Sequence, residues 1–327
     1  MTQGTGPAGA QKSMRIAALG AGAVGGFYGA RLARAGHHVS FVARGRNLEA
    51  IRTSGMSVRS ELGDFVVYPD AEADPAAIGT VELAIVAVKT YSNAEALPLL
   101  RPLVGPGTLV LTLQNGVESA ADVAAVVGED HVLAGATYIG VSLEAPGQVR
   151  HVGTARRIVF GEAFGAPRAT ERAGRIAEVL RAADIDAEAV ADSRAALWEK
   201  LVFLAPLAAL TAASRLPIGP LRAGPGFREA VMRAMREVEA VARAEGVALA
   251  ADVCEQKLAY MEASPPSMRS SLMMDLVAGR PTEVEALVGG VVRRARGHGV
   301  PTPAMQTLHA VLGVHAAGRA APSGEQG

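Results

Sequence analysis

Cysteine is nearly absent from this chain of 327 residues: Cys254 stands alone. No internal disulfide can form, and a cytoplasmic setting is the expectation. Aromatic side chains make up only 4% of the residues, and neither sign of charge is in excess, with 32 basic against 32 acidic side chains. A nucleic-acid binder needs a basic face and usually stacking rings, so that class is excluded. No apolar run reaches the roughly 20 residues of a membrane span. The longest, 201–213, is interrupted by Pro206 and Thr211 and reads as a buried helix. Residues 1–13 lack the charged-then-apolar order of a secretory leader and read as a loose tail, as do 318–327. The seven histidines show no metal-ligand spacing and have no cysteine partner, so no metal site is expected. Nor is there a G-x-S-x-G to suggest a serine hydrolase.

What remains is half hydrophobic and one fifth charged, the composition of a globular protein long enough for two domains. From Arg15 to about Leu113, short apolar runs alternate with helical patterns: RIAALG, then a helix over 24–35, a strand over 38–43, LAIVAV over 83–88 and TLVLTL over 108–113. These runs are apolar without strict alternation, as parallel strands covered on both faces should be. The order strand, helix, strand predicts an α/β fold with a doubly wound parallel sheet, ending in a hairpin around Pro146-Gly147. From Asp192 the texture turns helical and stays so to about Ala316. The division is therefore 14–191 for a Rossmann-type domain and 192–317 for an all-helical one.

The sharpest motif is Gly20-Ala21-Gly22-Ala23-Val24-Gly25, a G-x-G-x-x-G that follows a strand and opens a helix. That context makes it a dinucleotide loop: a tight turn, a close backbone approach to a pyrophosphate, and free N–H groups at a helix start. The next strand ends in Ala43-Arg44-Gly45-Arg46, without the acid that would accept from an NAD ribose. An arginine there suits a 2′-phosphate, so NADP is favoured over NAD. Lysine is scarce, with only Lys12, Lys89, Lys200 and Lys257. Lys89 closes a strand at the sheet edge where ligands sit. Lys200, in WEKL, is either a partly buried lysine of lowered pKa, able to act as an acid, or one that covers apolar surface with its stem. Asn115 lies in Gln114-Asn115-Gly116, a turn or a cleft-facing amide. Ser270, Ser271, Thr282 and Glu283 bracket an apolar helical stretch, where a capping serine and a surface glutamate are the plain reading.

Together these features resemble the ketopantoate reductase (2-dehydropantoate 2-reductase) family, from Met14 to about His309. The resemblance implies NADPH held by the loop Gly20 to Gly25, with Arg44 on its 2′-phosphate. It implies Lys89 and Asn115 lining the cleft between cofactor and substrate, and Lys200 as the catalytic lysine. SSLMMDLVAGRPTEVEAL is similar to the family's C-terminal signature and aligns Ser271 with a substrate-binding serine. In the same signature Glu283 matches an active-site glutamate that holds the lysine or the nicotinamide ribose. The implied reaction is hydride transfer to the ketone carbon of 2-dehydropantoate, giving pantoate, with Lys200 supplying the proton. The expected partner is this small 2-oxo acid, with neither nucleic acid nor membrane, and a homodimer is compatible with the helical second domain.

The chain departs from the family's pattern at Leu204, Ala208 and Ile218, where asparagines are expected. Residues 200, 204 and 208 share a helix face, so that face is greasier than the family's. Either other groups bind the substrate hydroxyl, or the substrate is a more apolar 2-oxo acid reduced by the same mechanism. A third reading is an NADP sensor that has lost catalysis, which the joint presence of Lys200 and Glu283 argues against.

Overall fold

The computed structural model describes residues 13–318. The tails expected at 1–13 and 318–327 lie outside the described residues, except for Ser13 and Gly318. In chain order the first part comprises strands β1 (Arg15–Leu19) and β2 (His38–Val42) around helix α1 (Ala23–Arg34). Helix α2 (Gly45–Ser54) and strands β3 (Met56–Ser60), β4 (Phe65–Val67), β5 (Asp70–Glu72) and β6 (Leu83–Val86) follow. Next come α3 (Asn93–Ala96), β7 (Leu109–Thr112), α4 (Ser119–Val127), β8 (Val132–Ala145), β9 (Gln148–Glu162), α5 (Glu171–Ala182) and β10 (Asp186–Ala189).

All ten strands form one sheet, in the order β4-β3-β9-β8-β7-β6-β1-β2-β5, with β10 beside β9. From β5 to β8 every pairing is parallel. In the central strands β1, β6 and β7 successive residues face opposite ways, which explains their nearly unbroken hydrophobicity. Ile16, Ala18, Leu83 and Ile85 enter one core, and Ala17, Leu19, Ala84 and Val86 enter the other. The hairpin at Pro146-Gly147 forms as expected, joining β8 and β9 antiparallel. It does not end the sheet. Beyond β9 lie β3 and β10, both parallel to it, and β4. Of these, β3 (MSVRS) and β10 (DAEA) carry mixed polar sequences, and their pairing with β9 supplies what local apolarity does not.

Helices take over at α6 (Ser193–Ser214), whose Asp192 cap accepts from Ala195 N at 3.0 Å. The remaining helices are α7 (Ile218–Ala223), α8 (Phe227–Ala244), α9 (Val253–Ala263), α10 (Ser271–Val277), α11 (Gly290–Gly297) and α12 (Pro303–Gly313). A single π turn at Glu285–Gly289 leads into α11. Helix α6 is long and apolar enough to cross a bilayer, yet it is the central helix of this part. It packs against α8, α9, α10 and α12, and touches β8 of the sheet. Trp198, Leu201, Val202 and Ala205 lie in the core it shares with them.

Glu237 on α8 ties the last helix in place. Its carboxylate, buried at 8% exposure, accepts from Ala304 N at 2.9 Å and Met305 N at 2.8 Å, the first turn of α12. Two otherwise orphaned donors of a helix start are thereby satisfied. Glu237→Ala is expected to lower stability by about 1–3 kcal/mol, read as an earlier urea midpoint with an unchanged slope.

Candidate active site

Three of the expected site elements follow directly on parallel strands, and so converge on one edge of the sheet. The glycine loop follows β1, Lys89 follows β6, and Asn115 follows β7. Gly20 has φ +98°, and a side chain there would press to 2.7 Å from Val88 Cγ1. At Gly25 a Cβ would run into the Gly20 carbonyl oxygen, so α1 can approach β1 this closely only with glycine. Around Gly22 there is open space instead, with nothing within 4 Å of where a Cβ would sit. Gly22 also caps α1 without a side-chain bond, leaving the N–H groups of the helix start for a ligand. Arg44 stands at the end of β2, exposed, with Nη1 donating to Glu95 Oε2 at 3.0 Å.

The chemistry gathers at Glu283, 4% exposed. Its Oε2 accepts from Lys89 Nζ at 2.8 Å and lies 3.5 Å from Asn115 Nδ2, while Oε1 accepts from Thr90 N at 3.3 Å and Thr90 Oγ1 at 3.4 Å. Lys89 also donates to Asp275 Oδ2 at 3.2 Å. Burial pulls the Lys89 amine down, but the Glu283 and Asp275 carboxylates outweigh it and the pKa is raised. Lys89 is thus held charged.

Lys200 is the opposite case. From α6 its Nζ donates to Asn115 Oδ1 at 2.9 Å and reaches Thr137 Oγ1 on β8 at 3.5 Å. It joins no ion pair among the described residues. Burial brings its pKa down to about 8, against the raising field of Glu283. A lysine that exchanges its proton near neutrality, hydrogen-bonded to a neutral amide, is equipped to protonate a nascent alkoxide.

Four predicted residues therefore meet in one network: Lys89, Asn115, Lys200 and Glu283. Two stand apart from it, Arg44 at the next strand end and Ser271 at the start of α10. The neighbouring Ser270 does the capping, accepting from Met273 N at 3.1 Å and sharing a hydrogen bond with Thr211 Oγ1 at 2.7 Å. Ser271 Oγ makes no side-chain hydrogen bond among the described residues. One expectation changes in detail: Glu283 grips Lys89 and Thr90, and reaches Lys200 only through Asn115. Asp275, Thr90 and Thr137 were not anticipated. Asp275 was open to discovery as the sole acid in the apolar run SLMMDLV.

The sequence matches two family descriptions in tandem, "Ketopantoate reductase PanE/ApbA" over residues 16–165 and its "C terminal" counterpart over 192–316. The chain belongs to the ketopantoate reductase family. It is an oxidoreductase of that family, and the network straddles both matched segments, with Lys89 and Asn115 in the first and Lys200 and Glu283 in the second. A 2-dehydropantoate 2-reductase of Halobacterium salinarum is 34% identical over 297 residues, covering 90% of this chain and 96% of its own. The crystal structure of a PanE/ApbA family ketopantoate reductase from Ralstonia eutropha superposes with a TM-score of 0.85 at 35% identity, covering 93% and 98% of the two chains. A D-mandelate dehydrogenase at 22% identity and TM-score 0.84, covering 93% and 98%, shares the fold.

Proposed function

We propose that this ketopantoate reductase family member reduces the 2-oxo group of 2-dehydropantoate, giving pantoate, with NADPH as the hydride source and Lys200 as the proton donor. The observation that carries the reading is the Lys200 amine, largely buried, with a pKa near 8 and in contact with Asn115. When bound, the nicotinamide supplies a hydride to the ketone carbon, and that carbon's oxygen takes up the electron pair released from the C=O bond.

The chain's own residues do the rest. The uncapped start of α1 and the open ground at Gly22 receive the pyrophosphate. The Lys200 ammonium donates to the ketone oxygen, stabilises the charge growing there and gives up its proton as the alkoxide forms. Asn115 orients that ammonium through its side-chain oxygen. Glu283 and Asp275 fix Lys89 at the strand edge, where its charge faces the anionic ligands. Ser271 binds the substrate carboxylate through its unengaged hydroxyl. The buried, solitary Cys254 fits a reducing cytoplasmic setting.

The test is the decay of NADPH absorbance with 2-dehydropantoate, in the parent and in Lys200→Ala. Turnover that vanishes in the variant supports the reading; equal turnover in both, or none in the parent with any 2-oxo acid, defeats it. The cofactor assignment has its own check. Arg44→Ala is expected to raise KM for NADPH about tenfold or more, the loss of a charge-assisted pair to phosphate, and to leave KM for NADH unchanged. A parallel rise in both values would assign Arg44 a merely structural part.

A further inference from the structure

Beside the Lys200 amine runs a narrow crevice walled by Gln114, Asn115 and Gly116 on the strand side and by Leu197, Lys200, Leu201 and Leu204 of α6. Its polar side chains are already committed. Asn115 Oδ1 accepts from Lys200, and Nδ2 faces Glu283. The amide of the adjoining Gln114 donates to Val88 O at 2.9 Å and Asn93 Oδ1 at 2.6 Å. Along the same face of α6 the next turns offer nothing further. Ala208 and Ile218 are completely buried in the helical core, and the Thr211 and Ser270 hydroxyls are bonded to each other at 2.7 Å. A substrate with its ketone oxygen on Lys200 would lay its tail against three leucines.

We infer that Leu204, with Leu197 and Leu201, sets the substrate class: 2-oxo acids with a branched, hydroxyl-free side chain, in preference to the hydroxylated acid. The inference rests on the reductase reading above, keeps its chemistry and moves the preferred substrate away from 2-dehydropantoate. A tail hydroxyl placed in this crevice loses its water and finds no free side-chain partner, and an apolar pocket rejects an added hydroxyl by a factor of ten to about a hundred. Branched carbons set against the leucine side chains gain from leaving water.

The cleanest pair of probes differs by that hydroxyl alone: 3,3-dimethyl-2-oxobutanoate and its 4-hydroxy derivative, which is 2-dehydropantoate. With purified enzyme and saturating NADPH, kcat/KM is expected to favour the hydroxyl-free acid about tenfold or more, chiefly through KM. Leu204→Asn is expected to shrink the gap by improving the hydroxylated acid, and Leu204→Met to preserve it, with thermal melts confirming that both variants fold. The parent's own ratio requires no variant. A preference below threefold, or one for the hydroxylated acid, overturns the inference and leaves the reductase reading standing. Failure of the parent to oxidise NADPH with either acid, or with a wider panel of 2-oxo acids, removes the reductase reading and this inference together.

Discussion

Lys200→Met is expected to yield a protein that unfolds later than the parent and turns over on the order of a hundred to ten thousand times more slowly. Both effects come from one burial. The amine has been brought from an ordinary 10.5 to about 8 because its charged form loses water that Asn115 and Thr137 replace only in part. Below pH 8 the folded and unfolded chains both carry the proton, and the folded one bears the full cost of desolvation. Between about 8 and 10.5 the folded chain has shed the proton and the unfolded chain has not. Stability from this group therefore rises with pH across that window, and is least at neutral pH and below. A shift of this size corresponds to at most about 3 kcal/mol, reduced by the residual solvent contact of Lys200 and by the Asn115 oxygen the methionine leaves unpaired. A net gain of about 1–2 kcal/mol at pH 7 follows, fading as pH climbs from about 8 to 10.5. Urea midpoints of parent and variant at pH 7 and pH 10 measure it. The same lysine predicts that reduction by the parent declines as pH rises through about 8, where the proton donor is lost. Midpoints that coincide at pH 7, with a flat rate profile from 7 to 9, would contradict the buried-acid account.

How far the sequence discloses this arrangement depends on how local each signal is. The strands RIAAL, LAIV and LVLT are readable because burial on both faces makes them apolar at nearly every position, and the glycine loop is readable because steric contacts at Gly20 and Gly25 forbid a side chain. Lys200 stands out by its composition and neighbours, but its lowered pKa comes from burial in the folded chain, and its partners Asn115 and Thr137 are 85 and 63 positions away. The partnership of Lys89 with Asp275 and Glu283 spans 186 and 194 positions. No periodicity within a segment encodes such a contact. It exists because β6 delivers Lys89 to the sheet edge, and the chain after α10 returns to the same place. Strands β3 and β10 are hidden for a related reason: their sequences are ordinary, and only a long β9 offering its edge makes strands of them, with β4 added on β3.

Glu283→Gln separates the two lysines by their response. In the parent the Glu283 carboxylate supports the charge on both, directly on Lys89 and at longer range on Lys200. Glutamine keeps the shape and part of the hydrogen bonding but removes the charge. The Lys200 pKa, no longer raised by that field, falls below 8, so the alkaline decline in reduction rate is expected to begin at lower pH. Lys89 retains Asp275 at 3.2 Å, so the strand edge keeps one anchor. Turnover at pH 7 should fall on the order of ten- to a hundredfold, from a loosened constellation together with a smaller protonated fraction. Glu283→Asp restores the charge at shorter reach and should leave the decline near its original pH, even though turnover stays impaired. Asp275→Asn gives the complementary comparison, because it loosens Lys89 while leaving the charge that acts on Lys200 in place. Its rate profile should keep the parent's shape. If Glu283→Gln lowers the rate with the decline unmoved, Glu283 acts by positioning alone, and the field of this carboxylate has no part in setting the acid.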